Sequence, residues 1–146
     1  MRLAHLLLIG GTLLAQSAEA LEWRWSYRGE GVTASGTFTT ADTPDADGFY
    51  RITAIAGQAN GVAITGLQPP GKAIPGNDGY PVDNLVRTAA PQLSKDGFGY
   101  GMANGTYANP FYGADFAKPD YYAFFSDPAN RATSEPPVAF IASIAP

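Results

Sequence analysis

The sequence predicts an all-β protein: a single antiparallel domain built on a meander, forming a β-barrel or β-sandwich of about eight or nine strands. Bulky residues alternate with small or polar residues in several short runs, a period typical of strands. Two Asn-Gly pairs, Asn60-Gly61 and Asn104-Gly105, supply the positive φ values that tight hairpin turns need. The chain has 17 glycines and 12 prolines among 146 residues, which favours short strands and turns over helices.

Residues 1–20 have the pattern of a secretory signal peptide. Arg2 gives a short positive start, Leu3–Leu14 is apolar, and Ala18-Glu19-Ala20 fits the small-x-small rule for cleavage. We therefore expect one domain over residues 21–146 and a secreted or periplasmic protein with no membrane span after cleavage. A retained N-terminal anchor is the alternative, but the apolar run is too short to span a membrane as a helix.

The first predicted strand is Leu21–Tyr27, which places Trp23, Trp25 and Tyr27 on one face. Aromatic residues at strand spacing lie in a core more often than on a sugar-stacking surface, so we expect this row to be buried. Val32–Thr40 is the second predicted strand.

The acidic segment Ala41–Gly48 follows and invites a calcium interpretation. Asp45 and Asp47 match the third and fifth positions of an EF-hand loop, but Thr43 and Ala54 stand at the first and twelfth. Asp and Pro also form turns unaided, through side-chain-to-backbone bonds and a fixed φ. A plain turn is favoured, and we expect neither a metal nor a cofactor.

The meander continues through the predicted strands Phe49–Ile55 and Val62–Leu67, joined by a turn over Gly57–Gly61. The alternation gives both faces of the first of these strands bulky side chains: Phe49 and Ile55 on one, Tyr50 and Ile52 on the other. Bulk on both faces suits a sheet that is covered on both sides or closed on itself, which favours a barrel over a sandwich.

The longest irregular segment is Gln68–Asp83, with four prolines and three glycines. Loops of this length in a compact domain are often functional. This loop and the residue after it hold the best polar cluster for binding a ligand: Asn77, Asp78, Tyr80, Asp83 and Asn84. The alternative is an Ω-like loop that closes one end of the barrel or sandwich, with Ile74 and Tyr80 tucked inside.

The second half of the chain contains four further predicted strands: Asn84–Thr88, Phe98–Ala103, Thr106–Tyr112 and Val138–Ile144. Gly99 and Gly101 share one face, which predicts close approach by another backbone or a large aromatic side chain. Helix should be scarce, with one turn near Pro119–Phe124. The segment Asp127–Pro137 has the composition of a surface loop.

Eight aromatic residues fall in one stretch of the second half: Tyr107, Phe111, Tyr112, Phe116, Tyr121, Tyr122, Phe124 and Phe125. We expect most of them to be core, because no other part of the chain offers as much bulk. Whether the others line a cavity or form an exposed sugar-stacking platform stays open.

Composition excludes several kinds of chemistry. The only histidine is His5, in the predicted signal peptide, and there is no cysteine. Ser-His-Asp and Cys-His nucleophile systems and His-ligated zinc are therefore excluded from the mature chain. A net charge of −4 with no basic patch argues against a nucleic-acid partner.

Several pieces of the chain together resemble a known group of proteins: SGTFTT, DADGFYRITAIAGQANGVAITGL, IPGN, YPVDNL, GFGYGMANGTYANPF and YYAFFSD. Between Trp23 and Asp127 the chain resembles exported bacterial proteins of unknown function, many of which carry a C-terminal PEP-CTERM sorting signal. The resemblance implies export and an association with surface polysaccharide, and it supplies no activity. The sequence ends at Pro146 without a Pro-Glu-Pro motif, so we expect a periplasmic or freely secreted protein rather than a surface-sorted one.

Two main functions remain open. The first is a non-enzymatic exported module, with a binding or structural role at the cell envelope or extracellular matrix, whose partner is a polysaccharide or an envelope protein. The second is a carbohydrate-active hydrolase, which requires two carboxylates across a groove, one of them with a raised pKa. A carrier of small apolar ligands is a third interpretation if the barrel is hollow. The sequence leaves the oligomeric state open.

Overall fold

The computed structural model describes residues 19–146, so nearly all of the predicted signal peptide lies outside the described residues. The predicted all-β class is confirmed, since ten antiparallel strands form one sheet that curls into a half-barrel. The strands are β1 Leu21–Gly29, β2 Val32–Thr40, β3 Tyr50–Ala59, β4 Val62–Leu67, β5 Leu85–Val86, β6 Tyr100–Met102, β7 Tyr107–Tyr112, β8 Tyr121–Asp127, β9 Ala132–Ser134 and β10 Val138–Ile144. Their order is β10-β1-β2-β3-β4-β6-β7-β8-β9, and β5 pairs with β3.

Aromatic side chains fill the concave side of the sheet. Trp25 stacks on Phe38 with ring centroids 5.3 Å apart, and Phe98 meets Phe38 edge-on at 4.9 Å. The hydroxyl groups of Tyr27 and Tyr100, both fully buried, hydrogen-bond to each other. The predicted burial of the β1 aromatic row is therefore confirmed, and these rings occupy the interior of the half-barrel.

A β-bulge overturns the predicted face assignment in β3. Thr39 pairs with Ala54 while Thr40 pairs with Ile52, so Thr53 is the extra residue. An inserted residue reverses the alternation beyond it. Ile55 consequently lies on the core side with Ile52, and the other face of β3 is exposed. The prediction of bulk on both faces was wrong.

The β1–β2 and β3–β4 hairpins have two-residue turns. β2 has the predicted bounds, and β4 does as well. The predicted five-residue turn before β4 is in fact two residues, Asn60-Gly61, because β3 continues through Ala59. Asn60 and Gly61 both have positive φ, as the Asn-Gly pair predicts.

The two ends of the curled sheet approach each other through one continuous segment. β9, which the sequence did not predict, pairs with the second half of β8. The chain then runs through Pro136-Pro137 into β10, which pairs with β1. Between these pairings, the Ala123 N–H donates to the Pro136 carbonyl at 3.1 Å, and Tyr122 forms an isolated antiparallel β-bridge with Pro137. Residues 132–144 thus join both ends of the sheet.

Two expectations for the second half are wrong. No helical turn forms near Pro119–Phe124, because β8 begins at Tyr121 and pairs along its length with β7. None of the eight aromatic residues between Tyr107 and Phe125 is fully buried. Side chains of β7 and β8 alternate between core and outer face, so only part of this bulk reaches the core: Tyr112, Tyr121 and Phe125.

Among residues 19–146, no helix has the length and apolar character to cross a membrane.

Candidate functional site

The long loop between β4 and β5 packs against the outer face of the sheet, beside Gly99. A Cβ at Gly99 would lie 2.9 Å from Ile74 and 3.0 Å from Val82, and both of these side chains are buried. The atoms that approach Gly99 are thus aliphatic side chains of the loop, not the backbone or large aromatic side chain that the sequence predicted. The predicted aromatic approach occurs at Gly101, where an added Cβ would lie 3.2 Å from the Tyr107 ring. Tyr80, predicted to be tucked inside, is 69% exposed. The Tyr80 N–H donates to the Asn77 carbonyl in a turn that holds this ring out of the core.

Beside this loop, three aromatic rings form a cluster on the outer face of β7 and β8. Phe111 on β7 pairs with Tyr122 on β8, and their ring centroids are 6.1 Å apart in a stacked arrangement. Phe116, from the connecting loop, lies 4.6 Å from Tyr122 and 5.6 Å from Phe111. Three rings in mutual contact form a stiff apolar surface.

Gly113 allows Phe116 to lie against its own loop. A Cβ at Gly113 would be 2.9 Å from the Phe116 ring. The Phe116 N–H donates to the Gly113 carbonyl, and the Gly113 N–H donates to the Asp120 carbonyl at 2.9 Å. The short loop between β7 and β8 is thus folded back so that Phe116 reaches the outer cluster.

A cavity of about 450 Å³, here called the aromatic groove, opens between this cluster and the long loop. Aromatic residues supply much of its wall: Tyr80, Phe111, Tyr112, Phe116 and Phe124. Its polar side chains come from five separate parts of the chain: Asn77, Lys95, Asp96, Asn109, Asp115 and Glu135. An aromatic cavity of this size with a few polar groups has the character of a small-ligand site.

Three carboxylates and one ammonium group line the aromatic groove: Asp96, Asp115, Glu135 and Lys95. Partial burial raises the pKa of the Glu135 carboxyl above its ordinary value. A carboxylate accepts hydrogen bonds and does not donate them once ionised, so the wall is rich in acceptors.

Of the predicted ligand-binding residues, Asn77 and Tyr80 line the aromatic groove. The Asn77 Nδ2 donates to Asn109 Oδ1 at 3.3 Å, and Asn109 Nδ2 donates in turn to the Asp96 and Phe98 carbonyls. These bonds tie the long loop to the segment before β6 and to β7. Asp78 is exposed on the same loop but is not part of the groove wall.

Asn84 is fully buried, in the backbone framework rather than in the groove. Its Nδ2 donates to the Gln68 carbonyl at 2.6 Å, and its Oδ1 accepts from the Gly99 N–H at 3.2 Å. Its φ of 55° lies in the left-handed region that asparagine tolerates. Both ends of its side chain are used to join the start of the long loop to the residue just before β6.

Asp83 lies beside the aromatic groove without lining it. Burial raises the pKa of its carboxyl and the nearby Asp96 raises it further, while a hydrogen bond with Ser94 opposes them. The Leu85 N–H also donates to its Oδ1 at 3.3 Å. Asp83 is thus a neighbour of Asp96, which does line the groove.

In the acidic turn between β2 and β3, the Asp45 carboxylate accepts hydrogen bonds from the backbone of its own turn. Asp45 Oδ1 accepts from the N–H groups of Asp47 and Phe49, each at 2.9 Å. This is the side-chain-to-backbone turn that aspartate favours. Within the described part of the chain, no group of three or more His, Cys, Asp or Glu residues is placed to hold a metal ion.

A second cavity, of about 340 Å³, lies at the end of the half-barrel marked by the β3–β4 turn. Val62, Met102 and Phe125 give it apolar walls, and Asn60, Asn104 and Asp127 stand among its polar residues. Aromatic rings pack together in the interior of the half-barrel, and this cavity lies at its end.

No protein-family model, curated protein or solved structure matches this chain.

Sequence reasoning missed most of the aromatic groove. It selected the long loop, and the loop supplies one wall. The opposite wall depends on the outer face of β7 and β8, and on Glu135 between β9 and β10. The sequence feature that could have indicated this wall is the aromatic stretch from Tyr107 to Phe125. Assigning its residues to faces requires the β7–β8 register, in which Asn109 pairs with Phe124 and Phe111 with Tyr122.

Proposed function

We propose that this protein is an exported, non-enzymatic β-domain that binds a polysaccharide in the aromatic groove, at the cell envelope or in the extracellular matrix. The observation that carries the proposal is the combination, in one cavity, of exposed aromatic rings with carboxylate and amide groups. Export is inferred from the pattern of residues 1–20.

The chemistry of a sugar ring fits both parts of this wall. One side of a pyranose presents C–H groups, which pack on the apolar face of an aromatic ring. Its edge carries hydroxyl groups, which donate to carboxylates and exchange hydrogen bonds with amides. Tyr80 and Phe116 are the most exposed of the large apolar side chains in the groove, at 69% and 38%. They are therefore the best placed to stack on a sugar.

A glycan-array screen of residues 21–146, followed by calorimetry on any hit, tests this proposal. Tyr80→Ala and Phe116→Ala should each weaken binding about tenfold or more, because truncating an aromatic anchor in a binding site costs over ~1 kcal/mol. Tyr80 is a safe position to change, since its ring is largely exposed.

Ile141→Ala is the matched control. Ile141 is 64% exposed on β10 and does not line the groove, so its truncation removes a similar exposed apolar surface elsewhere. Equal affinity losses at Tyr80 and Ile141 would contradict the proposed site. A blank array would contradict polysaccharide binding and leave an envelope protein as the partner to seek.

A carbohydrate-active hydrolase is the second candidate, favoured by a specific observation. Asp83 and Asp96 are neighbours, the pKa of Asp83 is raised, and Asp96 and Glu135 line the groove. Paired carboxyl groups with separated pKa values are the requirement for glycoside hydrolysis. Binding alone remains the first proposal because Asp83, the carboxyl group whose pKa is raised, does not line the cavity.

The hydrolase candidate is tested by incubating the bound polysaccharide with the protein and measuring new reducing ends. Cleavage that disappears in Asp96→Asn or Glu135→Gln, with binding retained, would replace the binding proposal with the enzymatic one. Intact polysaccharide after prolonged incubation would reject the hydrolase.

A further inference from the structure

We infer that the aromatic groove selects amine-bearing glycans, in which protonated amino groups replace some hydroxyls, over neutral and acidic glycans. This inference rests on the proposed function and adds the class of sugar. It follows from the charges of the wall: three carboxylates, from Asp96, Asp115 and Glu135, against the single ammonium group of Lys95.

The carboxylates are distributed around the groove rather than gathered at one point. Asp96 precedes β6, Asp115 lies in the β7–β8 loop beside Phe116, and Glu135 lies between β9 and β10. A sugar that stacks on the rings therefore has carboxylates within the same cavity. An ammonium group donates three hydrogen bonds, and charge-assisted bonds to carboxylates are stronger than those of a hydroxyl.

The aromatic rings favour the same ligand. The face of a Phe or Tyr ring carries negative potential and attracts a cation placed over it. An amine-bearing pyranose thus gains from the rings twice, through its C–H face and through its ammonium group. A neutral sugar gains only the first of these contributions.

An acidic glycan meets the opposite conditions. Its carboxylate or sulfate groups would face three like charges in the groove and approach a protein with a net charge of −4. Like charges at close range disfavour binding, and the overall charge slows the encounter. Lys95 alone offers attraction to an anion.

The experiment compares three hexasaccharides by calorimetry, in slightly acidic buffer that keeps amines protonated: a β-1,4-glucosamine hexamer, its fully N-acetylated counterpart and an oligogalacturonate. We expect the glucosamine hexamer to bind about tenfold more tightly than the N-acetylated one, and the oligogalacturonate to bind most weakly. Added salt should narrow the difference between the first two, because screening weakens exposed charge pairs.

Neutralising variants connect the selectivity to the groove. Asp115→Asn and Glu135→Gln should weaken binding of the glucosamine hexamer several-fold and leave the N-acetylated hexamer unaffected. Glu30→Gln, an exposed acid in the β1–β2 turn that does not line the groove, is the control for general attraction to an acidic protein.

The outcomes separate this inference from the proposed function. Equal or tighter binding of the N-acetylated hexamer or the oligogalacturonate, lost in Tyr80→Ala, would overturn amine selectivity and leave polysaccharide binding standing. Glucosamine binding that survives Tyr80→Ala, Asp115→Asn and Glu135→Gln would reveal attraction to the general surface and also overturn the inference. Absence of binding by all three hexamers in these assays and of any hit on the glycan array would overturn both proposals.

Discussion

At the scale of single residues, two asparagines with left-handed backbones serve the fold in different surroundings. Asn84 has a φ of 55° and Asn60 a φ of 49°. In both, Nδ2 donates to a backbone carbonyl and Oδ1 accepts from a backbone N–H. Asn84 is fully buried, whereas Asn60 lies in the exposed β3–β4 turn.

This pair yields a matched prediction. Asn84→Asp should lower the free energy of unfolding by about 3 kcal/mol, because it replaces a buried donor with a charge aimed at the Gln68 carbonyl. Asn60→Asp makes the same chemical change in water, where the groups left unpaired can be solvated, and should cost under ~1 kcal/mol. Urea denaturation of both variants measures the difference. Similar losses would show that burial does not decide the role of Asn84.

The two asparagines also show what sequence can resolve about one residue. Asn60 was predictable, because an Asn-Gly pair between two alternating runs is a local hairpin signal. Asn84 is equally polar, and its place directly after the long loop predicts a ligand-binding residue rather than a buried one. Its burial results from contacts with Gln68 and Gly99, which are 16 and 15 residues away in the sequence. A buried polar residue is recognised only when its partners are known.

At the scale of elements, β2 and β3 approach each other closely at paired glycines. Gly36 pairs with Gly57, whose φ is 144°. A Cβ at Gly36 would lie 1.9 Å from the Ala56 carbonyl oxygen and 2.8 Å from the Gly57 Cα. These are backbone atoms of a paired strand, so they cannot move aside as a flexible side chain can.

Gly36→Ala should therefore destabilise the protein by about 3 kcal/mol, the upper range for inserting a methyl group into a packed site. Gly66→Ala is the control, because Gly66 lies in β4 with no atom within 4 Å of the added Cβ and without a left-handed φ. It should change the free energy of unfolding by less than ~0.5 kcal/mol. Thermal and urea unfolding of both variants provide the comparison. A tolerated Gly36→Ala would mean that β2 and β3 can separate at this pair.

Strand prediction succeeded where the alternation was regular and failed where it was interrupted. β2 and β4 have their predicted bounds. The face assignment in β3 failed because the bulge at Thr53 shifts the pattern by one residue, and no residue type there signals it. β9 was missed because three exposed residues carry no hydrophobic pattern; only their pairing with β8 makes them a strand.

At the scale of the whole molecule, the curl of the sheet creates two distinct aromatic regions. The concave side buries the rings of β1, β2 and β6, while the outer side carries Phe111, Phe116 and Tyr122. The burial of the β1 aromatic row was predicted correctly. The prediction that most aromatic residues between Tyr107 and Phe125 are core was wrong, because only Tyr112, Tyr121 and Phe125 pack against the core. The groove itself joins residues from 77 to 135, so its geometry depends on the register of the whole sheet rather than on a local motif.

The buried hydroxyl pair of Tyr27 and Tyr100 makes the stability of the fold depend on pH. Burial raises the pKa of both hydroxyl groups above the ordinary value of 10.0. In the unfolded chain both ionise near that value, whereas in the folded protein both keep their protons. The unfolded state therefore binds fewer protons above pH 10, and the stability present below that pH is lost as pH rises.

We expect the free energy of unfolding to fall by up to about 1.4 kcal/mol per pH unit for each of these two hydroxyls once the pH is well above 10. The double variant Tyr27→Phe/Tyr100→Phe removes both titrating groups together, and losing both partners of a buried hydrogen bond is nearly neutral for stability. Its stability should match that of the wild type at neutral pH and decline less steeply in alkali. Urea titrations over the alkaline range measure both slopes. If the unfolding free energies of the wild type and the double variant fell equally steeply with pH, groups other than Tyr27 and Tyr100 would cause the alkaline loss of stability.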